Sequence, residues 1–317
     1  MSLSLNLGNF NTIFSKITKN RLSTTIGFAA AILSAAFSAL PDVITKPIVD
    51  PGISSASTSP ILVVLIMYLM TGIFFSPLTK LQKSKSKIKK SSWIIMIIYG
   101  VASASSTIAF SFGLQGTSAT NASILANSET VFTVLIGIVV CKEYLEKREL
   151  LPFSLIAVGA ILLPIGSDVY QHKFELSKFV FGDVMILISG FIYGACPFIT
   201  KHASSVGTVK VVQVMSLSGA SLCVALMLVF HTPFVLELSN FSLLSFVGIS
   251  GIGGSVMFYV IASRLVGAVR SILVFSSSSV FGIVYSVVYL LEPLNLFIIS
   301  SLIVVITGLY LLNRNRK

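Results

Sequence analysis

The chemistry open to this chain rests on few side chains, because only 10% of its 317 residues are charged. Glu129 stands inside the apolar run 117–141, twelve residues from either end. That is ~18 Å along a helix axis. A carboxyl at such depth costs about 2.5–3.5 kcal/mol to insert into lipid, so it needs a reason to be there. It reads as a solute contact or a protonatable coupling group; the plainer reading is a hydrogen-bonded carboxyl tying two helices. Asp42 follows Pro41, and Pro41 cannot donate to the carbonyl of Phe37, so an acceptor is freed locally. Asp42 reads as part of a binding site or, equally, as a solvated acid at its mouth. Asn121, Asn127, Ser278 and Ser279 add amides and hydroxyls that bond across helices by default. Asn127 and Glu129, two residues apart on one helix, are not expected to share a face. Tyr193 and Tyr259 line a cavity or pack in the core.

The elements that position these residues follow from composition. With 55% hydrophobic residues and a mean hydropathy of +0.95, the chain lacks the surface charge of a water-soluble domain. Ten apolar stretches reach the ~20 residues a spanning helix needs. They are 24–47, 59–79, 92–114, 117–141, 148–166, 179–200, 209–230, 241–263, 267–291 and 294–313. An N-terminus on the cytoplasmic side places nineteen of the 22 Lys and Arg residues inside, with only Lys46, Lys173 and Lys178 outside. Both termini, residues 1–22 and 314–317, are therefore expected as cytoplasmic tails of a multi-pass cytoplasmic-membrane protein. The net charge of +11 sets topology in this reading and does not track nucleic acid. Lys46 and Lys201 sit at helix ends, where snorkelling is the ordinary outcome. His172, His202 and His231 are scattered and the three cysteines show no ligand spacing, so neither a metal nor a cofactor is expected.

The chain also matches itself. At a shift of 149, residues 119–163 align with 268–312, and ten of the 45 pairs are identical, Glu143/Glu292 and Gly159/Gly308 among them. The first helices match at a shift of 155 through Gly27/Gly182, Ser34/Ser189, Ile44/Ile199, Thr45/Thr200 and Lys46/Lys201. Pro197 aligns with Asp42, one residue beyond Pro41, and interruptions at matching places point to a binding site. These matches predict an all-α membrane fold of two five-helix repeats, 23–166 and 179–313. Five is odd, so the second repeat enters the membrane inverted. Glu143 and Glu292 each lie where one helix ends and the next begins, and both are expected to accept hydrogen bonds from the following helix. Gly159, Gly308, Pro41 and Pro197 complete the structural set.

The sequence resembles the drug/metabolite transporter superfamily, in its EamA-type ten-helix branch, over about residues 23–313. The likeness rests on Ser128-Glu129-Thr130-Val131-Phe132, then Lys142-Glu143-Tyr144-Leu145 and Gly159. In the second half it rests on Ser277-Ser278-Ser279-Val280-Phe281, Glu292-Pro293-Leu294 and Gly308. The sequence departs from the pattern where a Trp is usual near Phe37 and where Thr130 stands for a Pro. The resemblance implies a secondary transporter, not an enzyme, for metabolites, amino acids or amphipathic drugs, often moved outward. Protons are a candidate coupling ion, and the chain is expected as a monomer or homodimer. The competing reading is a lipid-modifying enzyme or a receptor-like scaffold. The first would need clustered catalytic groups and the second long extramembrane segments; neither is present.

Overall fold

The computed structural model describes residues 7–52, 58–81, 89–141, 150–152, 154–155, 158–159, 176–200, 206–266, 268–294 and 296–315. All regular structure among them is helical. α1 (Leu7–Ile44) starts within the stretch expected as a tail and continues through Pro41 to the short α2 (Lys46–Val49). α3 (Pro60–Leu81) and α4 (Lys90–Gly113) follow. The expected fourth span is two helices, α5 (Ala119–Leu125) and α6 (Ser128–Cys141). α7 (Leu176–Thr200) and α8 (Thr208–Val229) are the next long elements. α9 (Leu238–Val247) leads through a π-helical segment, Gly248–Gly254, into α10 (Ser255–Val266). The expected ninth span is again split, into α11 (Ala268–Phe275) and α12 (Ser278–Tyr289), and α13 (Leu296–Asn315) closes the chain. Most of the expected fifth span, together with Glu143 and Lys201, lies outside the described residues.

Among the described residues, five helical stretches are long and apolar enough to cross a membrane. They are Ser23–Val49, Pro60–Lys80, Lys90–Gly113, Thr208–Val229 and Leu238–Val266, beside shorter apolar helices at Phe181–Cys196, Ser278–Tyr289 and Ile298–Gly308. Large apolar side chains cover the outer surface, among them Ile73, Ile94, Phe181, Val288 and Tyr310. Such a surface is stable against lipid and not against water. The protein is a multi-pass membrane protein. Its packed interior gathers Leu62, Met67 and Tyr68 of α3, Met96 of α4, Ile186 of α7 and Met215 of α8.

The two splits arise without Pro or Gly. The N–H groups of Asn127, Glu129 and Thr130 bond to carbonyls three residues back, as do those of Ser277 and Val280. The ladder therefore tightens to 3₁₀ spacing for one turn in each helix. Asn and Ser favour this because their side chains compete for local polar groups. The interruption expected at Pro41 is not a break; α1 runs helically through it, and the side chain of Pro197 lies outside the described residues. The π-helical turn does meet Pro41. A Cβ on Gly251 would come within 2.6 Å of the Pro41 ring, and one on Gly248 within 2.4 Å of the Met67 carbonyl oxygen. Glycine is thus required where this segment lies against α1 and α3.

Candidate solute-binding cavity

The splits in α5/α6 and α11/α12 meet at the centre of the bundle. There the Asn127 amide donates to Ser279 Oγ at 2.8 Å, and the hydroxyls of Thr130 and Ser276 share a hydrogen bond at 2.7 Å. Adding 149 to Asn127 gives Ser276, and adding it to Thr130 gives Ser279. Each bond is therefore the other with its partners exchanged. A second pair has the same relation. The Ser34 and Ser255 hydroxyls share a hydrogen bond at 3.3 Å, and the Ser106 and Ser189 hydroxyls one at 2.8 Å. Ser189 is Ser34 shifted by 155, and Ser255 is Ser106 shifted by 149. Duplicated halves related by a local two-fold would make contacts of this exchanged kind.

A cavity of about 150 Å³ opens at this junction. Helical periodicity explains its walls, since positions three or four apart share a face. α1 contributes Ser38, Pro41, Asp42 and Thr45, and α4 contributes Tyr99, Ser103, Thr107 and Ser111. Ser189, Tyr193 and Cys196 come from α7, and Ser255 and Tyr259 from α10. Asn127, Glu129, Ser276 and Ser278 enter from the two splits.

Six of the eight residues proposed from the sequence line this space: Glu129, Asp42, Asn127, Ser278, Tyr259 and Tyr193. Ser279 stands behind the lining as the acceptor for Asn127. Asn121 is outside it, in α5, where its amide donates to Thr117 Oγ1 at 3.3 Å. Asn127 and Glu129 do share the cavity, contrary to the face argument, because the helix between them is interrupted and regular periodicity fails across the turn. Sequence reasoning missed Tyr99, Ser103, Thr107 and Ser111, although their four-residue spacing was a readable polar stripe on one helix. Thr107 bridges Tyr68 and Tyr193 by hydroxyl bonds of 3.0 and 2.9 Å, which fixes this wall.

The lining carries two carboxyl groups, and no Lys, Arg or His is among its described residues. Asp42 and Glu129 lie within electrostatic reach of one another. Neither has a hydrogen-bond or ion-pair partner among the described residues. The Tyr259 hydroxyl is likewise buried and unpartnered. No group of three or more metal-ligating side chains occurs among the described residues.

Of the proposed structural residues Pro41 lines the cavity, whereas Glu292, Gly159 and Gly308 are not part of its lining. Among the described residues, the hydrogen bonds of the Glu292 side chain run to α5. Its carboxylate accepts from the N–H groups of Ala119 and Thr120 at 2.9 and 2.8 Å, and from the Thr120 hydroxyl. It thereby caps α5, in the other half of the chain. Gly159 abuts Val304 and Val305 of α13, the helix that carries the buried Gly308. Lys46 does not snorkel. It is 6% exposed and donates to Asp50 Oδ2 and to the Leu114 carbonyl, both at 2.6 Å, where it meets the C-terminal end of α4.

A helical membrane protein whose central cavity combines two carboxyl groups and several hydroxyls with a largely apolar wall can hold a small solute. The chain belongs to the EamA-like transporter family, whose model matches residues 25–164 and again 180–314. It is 26% identical over 279 residues to an uncharacterized transporter of Methanothermobacter thermautotrophicus, covering 83% of this chain and 80% of that protein. A second uncharacterized transporter, from Archaeoglobus fulgidus, is 28% identical over 152 residues, or 44% of this chain and 51% of the relative. In fold, a protein of known crystal structure superposes with a TM-score of 0.66 at 16% identity, over 93% of this chain and 98% of its own. The protein is a membrane transporter of small molecules.

Proposed function

We propose that the chain is a secondary transporter that exports small organic solutes across the cytoplasmic membrane by alternating access. Its architecture in this reading is ten spans in two inverted five-helix halves, 23–166 and 179–313, with both termini cytoplasmic. The observation that carries the proposal is the central cavity. It forms where the interrupted helices of both halves meet, and it holds Glu129 and Asp42 without hydrogen-bond or ion-pair partners among the described residues. Interrupted helices facing each other at a shared polar centre are how a membrane protein presents irregular backbone to a solute. The exchanged hydroxyl and amide bonds, Asn127–Ser279 with Ser276–Thr130 and Ser34–Ser255 with Ser189–Ser106, support the two-half arrangement. Two near-equivalent halves give two near-equivalent conformations, open to opposite sides.

Glu129 is the proposed coupling group. Its counterpart in the other half is Ser278, so its charge serves no duty that the local symmetry demands. A proton taken up by Glu129 and released on the other side would couple solute movement to the proton gradient. Asp42, Asn127, Ser278, Tyr193 and Tyr259 contact the solute in this reading, and Ser279 positions Asn127. Proteoliposomes test it. A solute panel should reveal flux that a pH gradient accelerates and that Glu129→Gln uncouples from pH. Flux unchanged in both respects in the variant removes Glu129 from the mechanism.

A further inference from the structure

The proposed transport function leaves the solute open, and the chamber narrows it. Two carboxyl groups face one space, each without a protein donor or cation among the described residues. A solute bearing a carboxylate or phosphate would meet those groups with no counter-charge in the lining. A solute bearing an ammonium would supply what the carboxyl groups lack. Charge-assisted N⁺–H···O⁻ bonds are the strong class of hydrogen bond, and stronger where water is excluded.

The rest of the wall fits the same ligand. Tyr99, Phe110, Tyr193, Tyr259 and Phe275 present aromatic surface, with Tyr259 and Phe275 packed edge to face at 5.5 Å. Aromatic faces favour cations within about 6 Å of the ring. The buried Tyr259 hydroxyl, with no hydrogen-bond partner among the described residues, offers one more donor or acceptor to a polar substituent. A cavity of about 150 Å³ is of the size that accepts a benzene-sized guest.

We infer that the chamber binds a small organic amine as its ammonium cation, of roughly benzene size, held between Asp42 and Glu129. Amino acids are poor ligands on this account, because their carboxylate would lie in the same space, whose described lining holds no cation. The inference rests on the transporter reading for its biological sense but is tested by binding alone.

The test uses the full chain, purified in detergent, and three probes of one shape: benzylamine, benzyl alcohol and benzoate. Calorimetric titration near neutral pH should give benzylammonium an affinity at least about tenfold above both others, the scale set by one charge-assisted hydrogen bond. Asp42→Asn and Glu129→Gln should each remove most of that preference, with the gel-filtration profile unchanged. Should either variant fail to fold, the three-probe comparison on the native chain still decides. Equal affinity for the alcohol, or tighter binding of benzoate, overturns the inference. Ammonium selectivity that survives both substitutions overturns it too. Selective binding without flux of any solute in proteoliposomes upholds the amine site and defeats the transporter reading. Flux of an anion with no ammonium preference does the reverse.

Discussion

Glu292 offers the sharpest test of how the two halves are tied together. Its carboxylate, reached from α12 through Leu291 in the left-handed region at φ 55°, takes two N–H groups and one hydroxyl at the start of α5. Net hydrogen bonds to charged groups contribute ~1.5–3 kcal/mol each in buried settings. A carboxylate at an exposed helix N-terminus contributes only ~0.3–1 kcal/mol through the dipole. Glu292 is half-buried, so water can replace part of what is lost. Glu292→Ala should therefore cost about 2–3 kcal/mol. Glu292→Gln, which keeps one acceptor oxygen, should cost about half as much. Buried Cys196 and Cys223 make the assay simple, since a thiol-reactive fluorophore reports unfolding as they become accessible. The Ala variant should melt about 4–12 °C lower, at roughly 2–4 °C per kcal/mol for chains of this order of size. Hydrogen exchange should quicken at the amides of Ala119 and Thr120 and leave α8 unchanged. An Ala variant that melts with the parent and protects those two amides equally would refute the cap.

Two further outcomes follow from buried polar contacts. Lys46→Met should destabilise by about 2–4 kcal/mol by the same thiol assay, because it strands Asp50 and the Leu114 carbonyl, and Asp50→Asn in that background should recover part of the loss. Thr130→Val and Ser276→Ala should each cost about 1 kcal/mol, and the double variant should fall short of their sum by at least ~0.5 kcal/mol; strict additivity would mean the two splits are not coupled through this bond.

Much of the protein was legible from residue type and spacing. A carboxyl twelve residues deep in an apolar run has few explanations, and Glu129 duly faces the central cavity with Asp42. Long apolar runs also marked the helices. The breaks at 126–127 and 276–277 were not legible, because no Pro or Gly marks them. They depend on Asn127, Thr130, Ser276 and Ser279 finding one another across two distant segments, which local propensity does not record. The breaks in turn undid the argument that Asn127 and Glu129 face apart. Lys46 misled for a related reason. Snorkelling is the default at a helix end, but the nearby Asp50 and the Leu114 carbonyl outbid water for its ammonium.

The central claim is that one chamber serves both sides of the membrane in turn. A single cysteine at Ser278, in a chain whose Cys141, Cys196 and Cys223 are replaced by serine, measures this directly. The account predicts labelling by an impermeant thiol reagent from the inner and the outer face of proteoliposomes, with saturating solute altering both rates. Labelling from one face alone, indifferent to solute, would contradict it.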